Sequence, residues 1–453
     1  MFAGIGQFLI GCSFASQFTA IGYIVLVVFE ACFIAVAFAL APRAKGRYLA
    51  LAGLLTLGEY AREHLPFGGL PIGGIALGQA GSPLAPLARL GGPILVTGAT
   101  YLAGIGLCAF ARAAYLYQHK KRHNKTDARL LRGEFASGCV AAFVVVGAVL
   151  FAHVAPNGGA PGRTVSAAIV QGGGVRGLNQ FDVPATTVFA AQITPTEELS
   201  GPVNLVIWPE DTIKLATSLS HAAITSLIGA QAARLHATLL AGVTVNVGST
   251  RFLNEIVAWG PTGSIIASVE KVHAVPFGEY VPARSFFAHF VSLSAVSRDA
   301  IIGYGNGEMT TPVAKLAIMI SYETFFSDRG RSGVRAGGQL LVVPTNTASY
   351  SSNEIPAQEL AASRLQAISE GRYLLQAATT GYSALIDPFG RVVVQSSLGT
   401  QEVLRVKAPL LSAATDYERF GDGPTLFLCL VAIALGFGRA LRARRRATRQ
   451  QLN

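Results

Sequence analysis

"VIWPED" at Val206–Asp211, "EKVHAVPFGEYVP" at Glu270–Pro282 and "IMISYE" at Ile318–Glu323 are the stretches on which the reading of this chain turns. Each sets a titratable or nucleophilic side chain at the end of an apolar run, or in a turn rich in proline and glycine. Such positions are where a strand stops and a rigid scaffold can hold chemistry. The side chains so placed are Glu210, Lys271 and Ser321. Taken singly, each has an ordinary explanation: a glutamate after Trp-Pro is commonly a solvated turn residue, a lone lysine a surface group, and a strand-end serine one satisfied by backbone. Their occurrence together, in this order and in equivalent settings, is what points to a site.

The surroundings of these stretches are unusual for a soluble protein. Of 453 residues, 51% are hydrophobic and only 13% are charged, which indicates membrane segments attached to a soluble part. The net charge of +11 is concentrated beside apolar segments. One block runs from Arg112 to Arg132, and the other contains Arg439, Arg442, Arg444, Arg445, Arg446 and Arg449. Charge distributed in this way is a topology signal, and with no basic face along the strands a nucleic-acid partner is excluded. The cysteines Cys12, Cys32, Cys108, Cys139 and Cys429 all lie in or beside apolar segments. They form neither a disulfide framework nor a metal-spaced cluster, and no metal or cofactor is expected.

Working outward, Phe2–Ala15 is a short apolar run with no basic residue before it and no cleavage site of small residues, unlike a signal peptide. Phe18–Ala41 is long enough to span a bilayer, is interrupted by Glu30, and ends at Arg43, Lys45 and Arg47. Tyr48–Leu65 is a weaker span carrying Glu59, Arg62 and Glu63, with Glu59 and Arg62 one helical turn apart and expected to pair. Pro66–Pro83 cannot be a regular helix and reads as a loop or re-entrant segment. Leu90–Ala111, Ala136–Ala155, containing His153, and Pro424–Gly438 complete the apolar set. Glu30 and His153 read as packing or cavity residues. The expected plan is about five transmembrane helices in 1–155 with an outer loop at 66–85, a soluble domain at 156–423, and a last span with a basic tail at 424–453. With both basic blocks on the cytoplasmic side, the soluble domain falls outside the membrane.

Within that domain, Val165–Gln171, Val203–Trp208, Thr238–Val245, Leu253–Trp259, Leu316–Ile320 and Leu340–Val343 read as strands. Ala222–Ala237 and Pro356–Glu370 carry helical spacing. Strands that read as apolar runs, mixed with helices, indicate a layered α/β domain.

The three stretches resemble the signature blocks of the nitrilase, or carbon-nitrogen hydrolase, superfamily. With the flanking membrane helices, the "KVHAVPFGEYVP" block resembles the bacterial apolipoprotein N-acyltransferase family in particular. The likeness extends to "GEYAREHLPFGGLPIGGIALGQAGSPLAPLARLGG" at Gly58–Gly92, "GGQLLVVPTNTASY" at Gly337–Tyr350 and "AASRLQAISEGRYLLQAATTGYSALIDPFGRVV" at Ala361–Val393. The family usually has eight transmembrane helices, about two more than this chain presents. The resemblance implies an extracytoplasmic αββα sandwich on a polytopic helical membrane domain in a bacterial cell membrane. It implies transfer of an acyl chain from a phospholipid, through an acyl-enzyme, to the α-amine of a diacylated apolipoprotein. By motif, Glu210 becomes the general base, Lys271 the group that stabilises the oxyanion, Glu279 a supporting carboxylate, and Tyr322 and Glu323 the residues that follow the nucleophile.

Two positions depart from the family. Ser321 stands where the family has cysteine, and the Gly-rich "VQGGGVRGL" at Val170–Leu178 stands where many members carry an aromatic. A thiol with a pKa near 8.5 yields a usable thiolate beside an ammonium. A serine hydroxyl is far less acidic and needs a base aligned at the moment of attack. Ser321 is therefore a working nucleophile, the mark of a weak or inactive paralogue that binds lipoproteins or phospholipids, or an engineered replacement. Another membrane-bound nitrilase-like amidase is a further alternative. Finally, Ala283–Val296 places Phe286, Phe287 and Phe290 directly after the lysine block, either as an arm dipping into the interface to guide acyl chains or as a buried core helix.

Overall fold

The computed structural model describes residues 1–43, 46–123, 128–174, 183–216, 218–219, 223–289, 296–350 and 354–452. The chain starts with helices α1 (Phe2–Gly11), α2 (Ala20–Leu40), α3 (Arg47–His64), α4 (Ala88–His123) and α5 (Ala128–Val154). Three of these, α2, α4 and α5, are long and apolar enough to cross a membrane. Helix α1, counted among the about five crossings expected in this region, is a shorter apolar helix. Its 10 residues rise about 15 Å, half of a hydrocarbon core of about 30 Å. Helix α3 has the length, but buries Glu59 and Arg62.

The α3–α4 connection is irregular, as its proline and glycine content requires, with short 3-10 turns at Leu77–Gln79 and Ala85–Leu87. Helix α4 is broken near its start at Gly91 and Gly92. Gly92 has φ +69°, and a Cβ there would lie 2.5 Å from the ring of Tyr417, so glycine is what allows this membrane helix to meet the end of the soluble domain.

The soluble domain runs β1 (Thr164–Gln171), α6 (Ala185–Glu197), β2 (Leu205–Ile207), β3 (Ile213–Leu215), α7 (Ala223–Leu235), β4 (Thr238–Val247), β5 (Arg251–Trp259) and β6 (Ile265–Glu270). It continues with α8 (Arg284–Phe287), β7 (Asp299–Ala300), β8 (Glu308–Thr310), β9 (Lys315–Ile318), α9 (Ser327–Arg335), β10 (Leu340–Thr345), α10 (Glu354–Glu370) and β11 (Leu374–Ala378). It ends with β12 (Ala384–Ile386), β13 (Val392–Gln395), β14 (Glu402–Pro409) and α11 (Asp416–Phe420), before the apolar helix α12 (Gly423–Leu452) returns to the membrane helices. Helix α12 lies against α3 through small residues: a Cβ on Gly53 would sit 2.6 Å from the Cys429 carbonyl oxygen, and one on Gly436 2.7 Å from the Ala50 Cβ.

The strands form two sheets. One has the order β14-β1-β2-β4-β5-β6, with β3 also on β4 and β7 on β5; the other has the order β13-β12-β11-β10-β9-β8. Strands β1, β2 and β4 are mutually parallel, as are β9, β10 and β11. Parallel strands covered on both faces read as unbroken apolar runs, which is why "LVI" and "LLVV" show no alternation. Ile169, Ile207, Leu240 and Ile256 of the first sheet share one core with Leu316, Ile318, Val342 and Leu375 of the second. Helices α6 and α7 cover the outside of the first sheet, over Trp208 and Trp259, and α9 and α10 cover the second. The result is an αββα sandwich in which the C-terminal ends of β2 and β9, one from each sheet, and the end of β6 carry Glu210, Ser321 and Lys271.

Candidate active site

Glu210 stands three residues beyond β2. Ahead of it, Trp208 is fully buried and its indole Nε1 donates to Thr196 Oγ1 at 2.9 Å, which fixes where the strand ends. The turn then lies directly on β4, since a Cβ at Gly242 would fall 2.5 Å from the Glu210 Cα. Lys271 is the first residue after β6. Its Nζ donates to Glu210 Oε1 and to Glu279 Oε1, both at 2.8 Å, and it is 3% exposed. Asn254 Nδ2 donates to the same two oxygens at 2.8 and 3.2 Å. Glu279 is held in turn by the Val275 N–H, 2.7 Å from its Oε2. Burial alone would lower the Lys271 pKa, but attraction to Glu210 and Glu279 outweighs it and the net direction is upward. The site therefore holds a permanent cation clasped by two carboxylates.

Ser321 opens a 3-10 turn, Ser321–Phe325, just after β9. It has φ +50° and is 8% exposed. A left-handed conformation at a residue with a Cβ is sparsely populated and marks a place where the surroundings dictate the backbone. Its Oγ lies 3.2 Å from Thr345 Oγ1 at the end of β10, and Thr345 Oγ1 is also hydrogen-bonded to Glu359 of α10.

Glu323 joins the Ser321 turn to the segment that follows Lys271. Its Oε1 accepts from the Val272 and His273 N–H groups at 2.7 and 3.2 Å, and its Oε2 from the Ile320 N–H at 2.7 Å and Arg329 Nε at 3.1 Å. The carboxylate is fully buried. Glu323→Gln leaves the Arg329 guanidinium without its countercharge, and such losses cost about 3–5 kcal/mol. The apparent Tm in detergent is expected to fall by several degrees, and an unchanged Tm would show that this carboxylate is not a structural clamp.

The next residue of the turn faces the membrane helices. Tyr322 Oη donates to the Gly69 carbonyl at 3.1 Å, and Tyr280 Oη to that of Phe67 at 2.8 Å. Between these contacts lies a cavity of about 240 Å³ lined by Phe67, Gly69, His273, Tyr280, Tyr322 and Phe326, among others. A larger apolar cleft of about 460 Å³ lies wholly between α4 and α5, away from these side chains.

The structure thus brings Glu210, Lys271 and Glu279 into direct contact, and sets Ser321, Tyr322 and Glu323 on the adjoining turn. Phe286 and Phe287 lie on the single turn α8, with ring centroids 5.2 Å apart; Phe286 is 59% exposed and Phe287 packs edge-on against Phe277 at 5.0 Å. A buried core helix at this point is ruled out by that exposure. Phe290, and the chain through residue 295, lies outside the described residues. Asn254, Thr345 and Glu359 were not anticipated. Thr345 carried the same signal as Ser321, a polar residue closing an apolar strand, whereas nothing local marks Glu359 in "EIPAQELAAS".

The pairing of Glu59 with Arg62 is present at 2.7 Å, and Glu30 joins it at 3.4 Å. His153 is exposed, its Nδ1 2.8 Å from the Val149 carbonyl oxygen.

Residues 167–416 match the carbon-nitrogen hydrolase family, and residues 1–106 match the apolipoprotein N-acyltransferase N-terminal domain. The chain is similar to the apolipoprotein N-acyltransferase of Mycolicibacterium smegmatis, 28% identical over 79% of this chain and 62% of the relative. That of Rhodopseudomonas palustris is 33% identical over 51% of this chain and 45% of the relative. That of Bradyrhizobium diazoefficiens is 28% identical over 95% of this chain and 79% of the relative. The chain therefore spans less than two thirds of the first two. Among solved structures, a carbon-nitrogen hydrolase from Helicobacter pylori superposes with a TM-score of 0.42 at 16% identity, covering 54% of this chain and 89% of that one. Over more than half of its length, and with a matching N-terminal membrane domain, this chain belongs to the carbon-nitrogen hydrolase family, in its apolipoprotein N-acyltransferase branch.

Proposed function

We propose that the protein is a bacterial cell-membrane acyltransferase whose sandwich lies on the outer face. It takes an acyl chain from a phospholipid onto Ser321 and passes it to the α-amine of a diacylated apolipoprotein. The observation that carries this reading is the buried Lys271 ammonium, bound by Glu210 and Glu279 and joined through Glu323 to the Ser321 turn. A cation fixed at that point stabilises the negative oxygen of a tetrahedral acyl intermediate in a site of low dielectric. Glu210 serves as general base and Glu279 keeps the ammonium aimed. The hydrogen bonds from Tyr280 and Tyr322 to the Phe67–Gly69 loop support a site built against the membrane domain, where two lipid-anchored substrates can reach it. The exposure of Phe286 supports its entry into the interface. The basic stretches at the end of α4, at the start of α5 and within α12 lie on the cytoplasmic side in this arrangement.

Incubation of the purified protein with phospholipid carrying a labelled acyl chain, followed by mass spectrometry, is expected to show an ester on Ser321. Ser321→Cys is expected to give a thioester about tenfold or more faster, since a thiol supplies the better nucleophile. An adduct in the cysteine form alone marks a dormant paralogue, and no adduct in either form excludes acyl transfer.

A further inference from the structure

A serine in this position needs a proton acceptor that a cysteine does not. Glu210 Oε1 is already engaged by Lys271 and Asn254. The Ser321 hydroxyl, among the described residues, is hydrogen-bonded to Thr345. Thr345 Oγ1 in turn meets Glu359 Oε1, and Glu359 is 2% exposed with its Oε2 buried and accepting no hydrogen bond among the described residues. A threonine hydroxyl has one proton, so it cannot donate to both neighbours. The three groups form a directed chain: with Glu359 ionised, Ser321 donates to Thr345 and Thr345 donates to the carboxylate.

We propose that Thr345 and Glu359 form a proton relay that serves Ser321 as a nucleophile in the acylation half-reaction, with Glu359 a positioning residue acting through the Thr345 hydroxyl. The proposal rests on the acyl-transfer reading above and says how the hydroxyl is made competent. As the Ser321 oxygen bonds to the acyl carbon, the carbonyl π pair moves to the oxygen facing Lys271. The Ser321 proton passes to Thr345 Oγ1 while the Thr345 proton passes to Glu359. On collapse the bond from acyl carbon to lysophospholipid oxygen breaks, and Thr345 hands its proton to that departing oxygen while regaining one from Glu359. Glu359 ends as it began. The general-base role of Glu210 then belongs to the second half-reaction, in which the incoming amine must lose a proton.

The direction of the chain depends on the charge of Glu359. Burial pushes its carboxyl up to about 8, with Glu210 adding to the rise and Thr345 and Lys271 opposing it. The groups that face it are Thr345 from β10, Glu210 and Lys271 from the ends of β2 and β6, and the Tyr350 hydroxyl. Glu323 on the neighbouring turn is taken up by Arg329, and Arg89 of the adjacent α4 lies over Phe389. Below about pH 8 Glu359 is neutral and donates to Thr345, which then donates to the Ser321 lone pair and blunts it. Above that pH the chain runs toward the carboxylate. Acylation of Ser321 is therefore expected to rise with pH and level off above about 8.

The test measures acyl-adduct formation in detergent micelles with a phosphatidylethanolamine bearing a labelled acyl chain, between pH 6 and 9.5. Glu359→Gln and Thr345→Val, both close to isosteric, are expected to lower the rate at pH 9 by about 10²-fold and to flatten the pH profile, a loss typical of a removed general base. Thr345→Ser is expected to retain the profile. In the Ser321→Cys background, Glu359→Gln is expected to change the rate less than about threefold, because a thiolate needs no relay. Thermal unfolding of each variant separates a folding defect from a chemical one. An adduct on Ser321 whose rate and pH profile survive Glu359→Gln overturns the relay and leaves the acyl-transfer reading intact. An adduct on Ser321→Cys with none on the serine form likewise overturns the relay alone. No adduct on either overturns both.

Discussion

Lys271→Met is expected to reduce acyl-adduct formation by about 10²–10³-fold, with bound phospholipid retained, because a fixed charge at a developing oxyanion is worth about 3–4 kcal/mol. The same substitution should unsettle the fold. Glu210 and Glu279 have side chains 6% and 17% exposed, and without the ammonium two carboxylates face each other across Asn254. Breaking a buried pair by removing one member costs about 3–5 kcal/mol, part of which is recovered if one carboxylate takes a proton. These two consequences can be separated. Adding Glu279→Gln to Lys271→Met removes the repulsion, and is expected to restore most of the thermal stability while leaving the rate at the floor. A double variant that recovered both would mean that Lys271 acts only as a structural counterion, and the oxyanion role would fall.

That separation bears on what could be read from sequence. Glu210, Lys271, Glu279 and Ser321 were legible because each closes an apolar run or sits in a proline- and glycine-rich turn, and in a layered α/β domain such points gather at one end of the sheets. Strand β5 was legible for the same reason, although it starts at Arg251 rather than Leu253, since polar residues at a strand's start carry no apolar signal. Glu359 was not legible. It lies in a helix that buries residues on nearly every face, Glu359, Ser363, Gln366 and Glu370 among them, so its polar residues look solvated when they are internal. Only packing against the Ser321 turn and the membrane helices turns that side chain toward Thr345. The apolar run at α1 forms a helix of 10 residues, shorter than the run itself, because apolarity alone does not fix where a helix ends. A layered α/β domain follows from the apolar runs and the αββα order from the resemblance to the family, whereas the joining of the two sheets' ends through Glu323 depends on side-chain hydrogen bonds that no periodicity encodes.

Arg62→Leu is expected to be the most damaging change outside the Lys271 cluster and the Ser321 turn. The guanidinium is fully buried, donating to Glu59 at 2.7 and 3.2 Å, to Glu30 at 3.4 Å, to the Ile72 carbonyl at 3.1 Å and to the Leu70 carbonyl, with the Phe8 ring 5.1 Å away. It is the hub of the loop between α3 and α4. That loop supplies the Phe67 and Gly69 carbonyls that receive Tyr280 and Tyr322, and its Gly73 N–H donates to Gln358 Oε1 at 2.7 Å, next to Glu359 on α10. Without Arg62 two carboxylates are left buried near one another and the carbonyls of Leu70, Pro71 and Ile72 lose a donor, a cost of about 3–5 kcal/mol or more. Because the loop is also one wall of the cavity beside Ser321, the damage should reach the chemistry although Arg62 does not touch it. Arg62→Lys tests this more sharply, since one ammonium cannot span the fork of acceptors that a guanidinium holds. It is expected to keep the protein folded in detergent at a lowered Tm, to make the 65–76 loop sensitive to protease, and to slow acyl-adduct formation by about tenfold or more. Proteolysis and rate both unchanged in Arg62→Lys would show that the loop stands without its arginine, and that the membrane domain does not set the geometry of the Ser321 site.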